Sequence, residues 1–185
     1  MHTFIDITTL FIQFLLKPNC YDKTWFKNYS IIKVFVVALI WSFILNFGFT
    51  IVFSILDILQ IINFEDHANT KLFEEFPPYA IVLLGVVAAP IFEELIFRAP
   101  IPLFCRFTKW FPLIFYIFAF TFGAVHITNF EITRNVLILM PILVAPQILI
   151  GLFLGVIRLQ FGLLYSMLFH AIYNGILIIP AVLLM

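Results

Sequence analysis

Charge is scarce in this sequence. Only 11% of its 185 residues are Asp, Glu, Lys or Arg, and ten basic side chains cancel ten acidic ones. A soluble domain carries about a quarter charged residues. With zero net charge and no basic surface, nothing here suits a nucleic-acid backbone, so no nucleic acid is expected as a partner. Cysteine is scarce as well. Cys20 and Cys105 sit in unrelated segments without metal-ligand spacing, and two free thiols are expected rather than a disulfide framework. The N-terminus lacks the positive leading region of a secretory signal. Asp6 interrupts its apolar run, and Lys17-Pro18 stand where a small-residue cleavage site would be, so no cleavable leader is expected. Internal repeats and low-complexity linkers are missing too, which favours one membrane domain.

Apolar side chains fill the space that charge leaves. Hydrophobic residues make up 64% of the chain, and Phe alone occurs 25 times, a composition suited to packing against lipid tails. Folding in water cannot hide that much apolar surface, so the bilayer is the expected solvent. About 20 apolar residues cross the hydrocarbon core as a helix. Residues 1–16 are too short and mixed to span, and read as a helix lying in the interface with Phe4, Leu10, Phe11, Phe14 and Leu15 on its apolar side. Spans are expected at about 34–62, 79–99, 109–127, 134–158 and 161–185. A polar loop over 63–78 carries Glu65, Asp66, Glu74 and Glu75.

The expected fold class is therefore an all-α integral membrane protein, with about five transmembrane helices plus an N-terminal interfacial helix. Three parts follow: an interfacial and cytoplasmic segment over 1–33, the first span with its acidic loop over 34–78, and a four-helix membrane domain over 79–185. Lysine and arginine crowd the N-terminal segment, the 100–109 turn and Arg158, so the bias of positive charge places the N-terminus in the cytoplasm.

Ionisable groups within spans cost roughly 2.5–3.5 kcal/mol each at mid-membrane and so point to function. The second span ends Glu93-Glu94-Leu95-Ile96-Phe97-Arg98. Glu94 and Arg98, four apart, share a helix face and can pair. Glu93 points about 100° away from Glu94 and is free to face a cavity. Burial favours the protonated carboxyl and so moves it toward general-base chemistry. Arg98 lies close to the expected membrane edge and needs less explanation; both glutamates reaching into the headgroups is the plainer alternative. The third span ends Phe122-Gly123-Ala124-Val125-His126, with Phe122 one turn before the imidazole as a wall or as ordinary packing. In the fifth, His170 and Asn174 share a face inside an apolar run, as oxyanion donors or as hydrogen-bonding glue between helices.

These segments, in this order and each on a separate span, resemble the EExxxR, FxxxH and HxxxN motifs of the CPBP family (CAAX protease and bacteriocin-processing, or Abi) of intramembrane endopeptidases. The resemblance covers about 80–178. It implies a helical membrane domain around a conical cavity, with Glu93 activating water, His126 assisting, His170 and Asn174 stabilising the oxyanion, and Glu94, Arg98 and Phe122 in support. Ala99-Pro100-Ile101-Pro102 follows the arginine where family members often continue with glycine and a helical run. Implied substrates are membrane proteins, prenylated or leader-peptide-bearing, met in the lipid bilayer, and the implied location is a bacterial inner membrane.

Glu93, His126 and His170 also match a zinc site with an open position. No cofactor is preferred, because HExxH-type spacing is missing and Asn174 fits an oxyanion donor better than a zinc ligand. Asn46, Asp57 and Gln147 read as structural, Gln147 serving a carbonyl freed by Pro146. His2 and His67 read as solvent-exposed, Trp25 and Trp110 as interfacial anchors, and Trp41 as a packing residue. Two other functions compete: a catalytically inactive scaffold or regulator of the same fold, and a proton-coupled transporter, which usually needs more helices and a repeat.

Overall fold

A computed structural model describes residues 2–64 and 68–184 of the chain. Glu65, Asp66 and His67, expected in an exposed polar loop, lie outside the described residues. Among the described residues all regular structure is helical, and five helical stretches are long and apolar enough to cross a membrane: Ile31–Ile58, Pro78–Phe104, Phe111–Asn129, Arg134–Phe161 and Leu163–Leu183. The expected all-α membrane fold with an extra N-terminal helix is therefore present, and the protein is an integral membrane protein.

Helix α1 (His2–Leu16) repeats apolar residues at helical spacing, and Ile7, Phe11 and Phe14 go into the protein core. Phe11 meets Phe26 and Phe153, and Phe14 meets Trp25 and Phe115. Helix α2 (Ile31–Ile58) buries Val34, Phe35, Val37, Ala38 and Ser42 near its start and leaves much of its second half exposed. Trp41 fastens the two helices, stacking on Phe4 and donating its indole N–H to Thr8 Oγ1 at 2.9 Å. Phe serves the core as much as the lipid-facing surface: Phe14, Phe26, Phe111, Phe115, Phe122 and Phe169 are all fully enclosed.

The expected loop over 63–78 is partly helical, since Ala68–Glu75 form α3. The second span is irregular. It comprises α4 (Pro78–Val82), a π-helical stretch (Leu83–Ala88), α5 (Ala89–Phe97) and a 3-10 turn (Ile101–Phe104). Pro90 accounts for the widened turn. A proline has no N–H to give and its ring clashes with the carbonyl four residues back, and a π-bulge relieves that crowding. Ala89 N–H already bonds Leu84 O, five residues back. Continued in that register, the Gly85 carbonyl would look to Pro90, which has no N–H to offer.

Helix α6 (Phe111–Val125) packs on the fourth span, which is two helices, α7 (Arg134–Leu143) and α8 (Ala145–Phe161), meeting at Val144. The α6–α8 crossing is close because Gly123 has no side chain: a Cβ there would lie 3.0 Å from the Ile148 backbone nitrogen. Gly162, at φ +108°, turns the chain into α9 (Leu163–Leu183) in a conformation that side chains disfavour.

The cysteines differ from expectation. Cys20 and Cys105 form a disulfide, with Cα atoms 5.5 Å apart. The sequence hides this because the connector after α1 and the turn after α5, 85 residues apart, are neighbours only once the helices have packed. Trp25 is also less exposed than an interfacial anchor, lying half-buried with its ring edge-on to Phe14, whereas Trp110 is exposed.

Candidate active site

Three spans bring their polar residues to one cavity of about 470 Å³. Glu93 comes from α5, Phe122 and His126 from the end of α6, and His170 and Asn174 from α9; all five line it. Apolar walls come from Leu84, Leu177 and Ile178.

The adjacent glutamates separate as helical geometry requires. Glu93 keeps 28% of its side chain exposed toward the cavity, while Glu94 keeps 0%. Glu94 is instead a buried hub. His170 Nδ1 stands 3.1 Å and Arg98 Nη1 3.4 Å from its Oε1, and the Ser166 hydroxyl donates to its Oε2. A carboxylate removed from water is tolerable only when its lone pairs are met this fully. The other imidazole nitrogen of His170, Nε2, lies 3.6 Å from Glu93 Oε2. One ring therefore joins the buried carboxylate to the cavity carboxylate.

Arg98 departs from its expected place near the membrane edge. Its side chain is 1% exposed, sealed inside the protein. The guanidinium carbon sits 3.8 Å over the Phe122 ring, a cation–π contact strengthened by the dry surroundings. That ring also makes steeply inclined contacts with His126 (centroids 4.9 Å apart) and His170 (5.9 Å). Phe122 thus spaces both imidazoles while capping the arginine. Gly151 on α8 makes room for this stack, since a Cβ there would lie 3.0 Å from Phe122 Cδ1 and 3.2 Å from Arg98 Nη2.

The cavity residues have defined hydrogen-bonding states. His126 Nδ1 lies 2.8 Å from the Phe122 carbonyl, which only accepts, so Nδ1 carries a proton, and in the neutral ring Nε2 keeps its lone pair. Asn174 Nδ2 donates to the Gly85 carbonyl at 2.8 Å, serving the acceptor that Pro90 leaves without a partner. That bond uses one of two amide protons and fixes which end of the side chain is nitrogen. Among the described residues, no group of three His, Cys, Asp or Glu side chains is placed to hold a metal ion.

A family model described as "Rce1-like: Type II CAAX prenyl endopeptidase Rce1-like" matches residues 75–176, more than half of the chain. The chain belongs to that family. Every motif residue named above falls inside the matched region of this Rce1-like protein, and α1 and α2 lie outside it. No curated protein and no solved structure matches the chain.

Several cavity residues of this Rce1-like chain were not recognised as such in the sequence. Gln147 was expected to serve a freed backbone carbonyl. It also lines the cavity, where its buried Oε1 has no hydrogen-bond partner among the described residues. Asn46 and Asn129 line the same cavity. Ser166 had a readable signal: Ser166, His170 and Asn174 recur every four residues and form one stripe along α9.

Proposed function

We propose that the chain is an intramembrane endopeptidase in which Glu93 activates the attacking water. Membership of a CAAX-endopeptidase family supports hydrolysis of membrane-associated protein substrates, and the convergence of Glu93, His126, His170 and Asn174 on one cavity supports the roles assigned below. The observation that carries the reading is the approach of Glu93 Oε2 to within 3.6 Å of His170 Nε2 inside a pocket shared with His126.

In the proposed reaction Glu93 accepts a proton from water, and the hydroxide oxygen bonds to the substrate carbonyl carbon as its C=O electrons move onto oxygen. His126 Nε2, unprotonated, orients that water through its lone pair. The second amide proton of Asn174 and a proton on His170 Nε2 meet the developing oxyanion. The proton held by Glu93 passes to the leaving amine as the C–N bond breaks. A positioned base supplies about 10²–10⁴-fold, and each oxyanion donor about 10²–10³-fold. No step calls for a metal. Glu94, Arg98 and Phe122 hold His170 in place, and the apolar walls favour a hydrophobic segment, prenylated or part of a leader peptide. The proposed setting is a bacterial inner membrane with the N-terminus in the cytoplasm, a reading carried by the lysine and arginine bias.

A comparison of membrane proteomes from cells carrying the native chain and the Glu93→Gln chain tests this. The protease reading expects a substrate to accumulate uncleaved, with new termini found only in native cells. Identical proteomes, with the cellular role of the chain intact in both, would favour the inactive scaffold.

A further inference from the structure

A second cavity lies at the opposite, basic end of the helices. It measures about 420 Å³ and is lined by Lys23 from the α1–α2 connector, Arg106 from the α5–α6 turn and Arg158 near the end of α8, with the Cys20–Cys105 disulfide forming part of its wall. No carboxylate lines it. Among the described residues, none of the three cations stands within ion-pair distance of an acidic side chain.

Three like charges around one cavity repel unless something negative sits among them. The nearest acid in sequence, Asp22, is turned to its own loop, where its Oδ1 accepts the Thr24 hydroxyl at 2.6 Å and the Thr24 N–H at 2.9 Å. Meanwhile one of the cations is held in place. Arg158 Nε donates to the Arg98 carbonyl at 3.1 Å, which leaves its terminal nitrogens for another acceptor. Gln160 Nε2 ties the connector to α8 through the Asp22 carbonyl at 2.8 Å. The cavity also stands where spans end, at the depth of lipid headgroups.

We propose that Lys23, Arg106 and Arg158 form a binding site for an anionic phosphate group, either the headgroup of an acidic phospholipid or free phosphate. Arginine offers several N–H donors to phosphate oxygens and lysine a point charge, a combination that zwitterionic headgroups match poorly. The site shares no lining residue with the peptidase cavity, and the Arg158 bond to the Arg98 carbonyl links the two.

Native mass spectrometry of the purified full chain, disulfide intact, tests this with phosphatidylglycerol as the probe. Retained phosphatidylglycerol should survive washing with phosphatidylcholine. A Lys23→Gln/Arg106→Gln double variant should weaken retention roughly thirty-fold, about five-fold per charge. Arg134→Gln, at the other end of the molecule, should leave it unchanged. Equal retention by the double variant, or equal loss in Arg134→Gln, would overturn the site. Should the double variant melt below the native chain, the native chain alone decides: retention must fall as salt rises, and a salt-independent phosphatidylglycerol signal refutes the proposal. Competition with inorganic phosphate separates the sources. Displacement marks a site for free phosphate, and persistence marks one that needs the lipid.

Discussion

His170 Nδ1 sits 3.1 Å from a carboxylate oxygen of Glu94, a side chain with no exposed surface. The buried acid is thereby the anchor of the cavity imidazole, and the two glutamates of the motif divide the work: one faces the cavity while the other holds the ring that meets it.

Glu94→Gln should therefore damage the site without touching substrate. It removes the charge facing buried Arg98, and breaking one side of a buried ion pair costs about 3–5 kcal/mol. A clear fall in melting temperature is expected alongside lost turnover. Ser166→Ala is milder. It removes one hydrogen bond to a charged acceptor, worth about 1.5–3 kcal/mol, and leaves the Arg98 and His170 contacts in place. The expected kinetic signature is a lower kcat at nearly constant KM. A changed KM with native kcat would mean that Ser166 does not act through His170.

Gly151 sets the thickness of the stack formed by Phe122 and Arg98. Gly151→Leu should force both side chains away, and overpacking of this kind costs about 1–3 kcal/mol. Gly151→Ala requires shifts of only a few tenths of an ångström at contacts of 3.0 and 3.2 Å. Thermal melts and activity across the pair are expected to follow side-chain size, with leucine inactive. Full activity of the leucine variant would remove Phe122 from the account of how the imidazoles are spaced.

Much of this site was legible from spacing alone. The i,i+4 relations of Glu94 with Arg98 and of His170 with Asn174, and the 100° offset of Glu93, are local consequences of helix geometry. The burial of Arg98 was not legible. Position along a span gives depth in the membrane, while enclosure depends on Phe122 and on the missing side chain at Gly151, both supplied by other helices. The place of Gln147 on the cavity wall was hidden for the same reason, since which face of α8 meets the cavity is decided by the α6–α8 crossing. The disulfide was invisible because its partners come from segments 85 residues apart.

Orientation decides the state of that cysteine pair in the cell. Both cysteines lie at the end rich in lysine and arginine, which the proposed orientation puts in the cytoplasm. Thiols there are kept reduced, while the bond forms in oxidising conditions. Acid-trapped cells should yield free Cys20 and Cys105, labelled by a membrane-permeant maleimide and not by an impermeant one. In purified oxidised protein, reduction should lower stability by about 2–5 kcal/mol. A bond already formed in the trapped cells would place the N-terminus outside.

A metal-free mechanism makes its own demand. Removing zinc with a chelator, followed by desalting, should leave activity intact. Stoichiometric zinc in active protein, with activity lost on chelation and restored by zinc, would transfer the role of Glu93, His126 and His170 to metal binding.

The most direct test is single-turnover cleavage of a membrane-embedded peptide by purified Glu93→Gln, measured with substrate binding on the same sample. The variant keeps the shape of the side chain and loses the base. The account predicts native-like binding with cleavage reduced by about 10²–10⁴-fold. Cleavage at the native rate would contradict it.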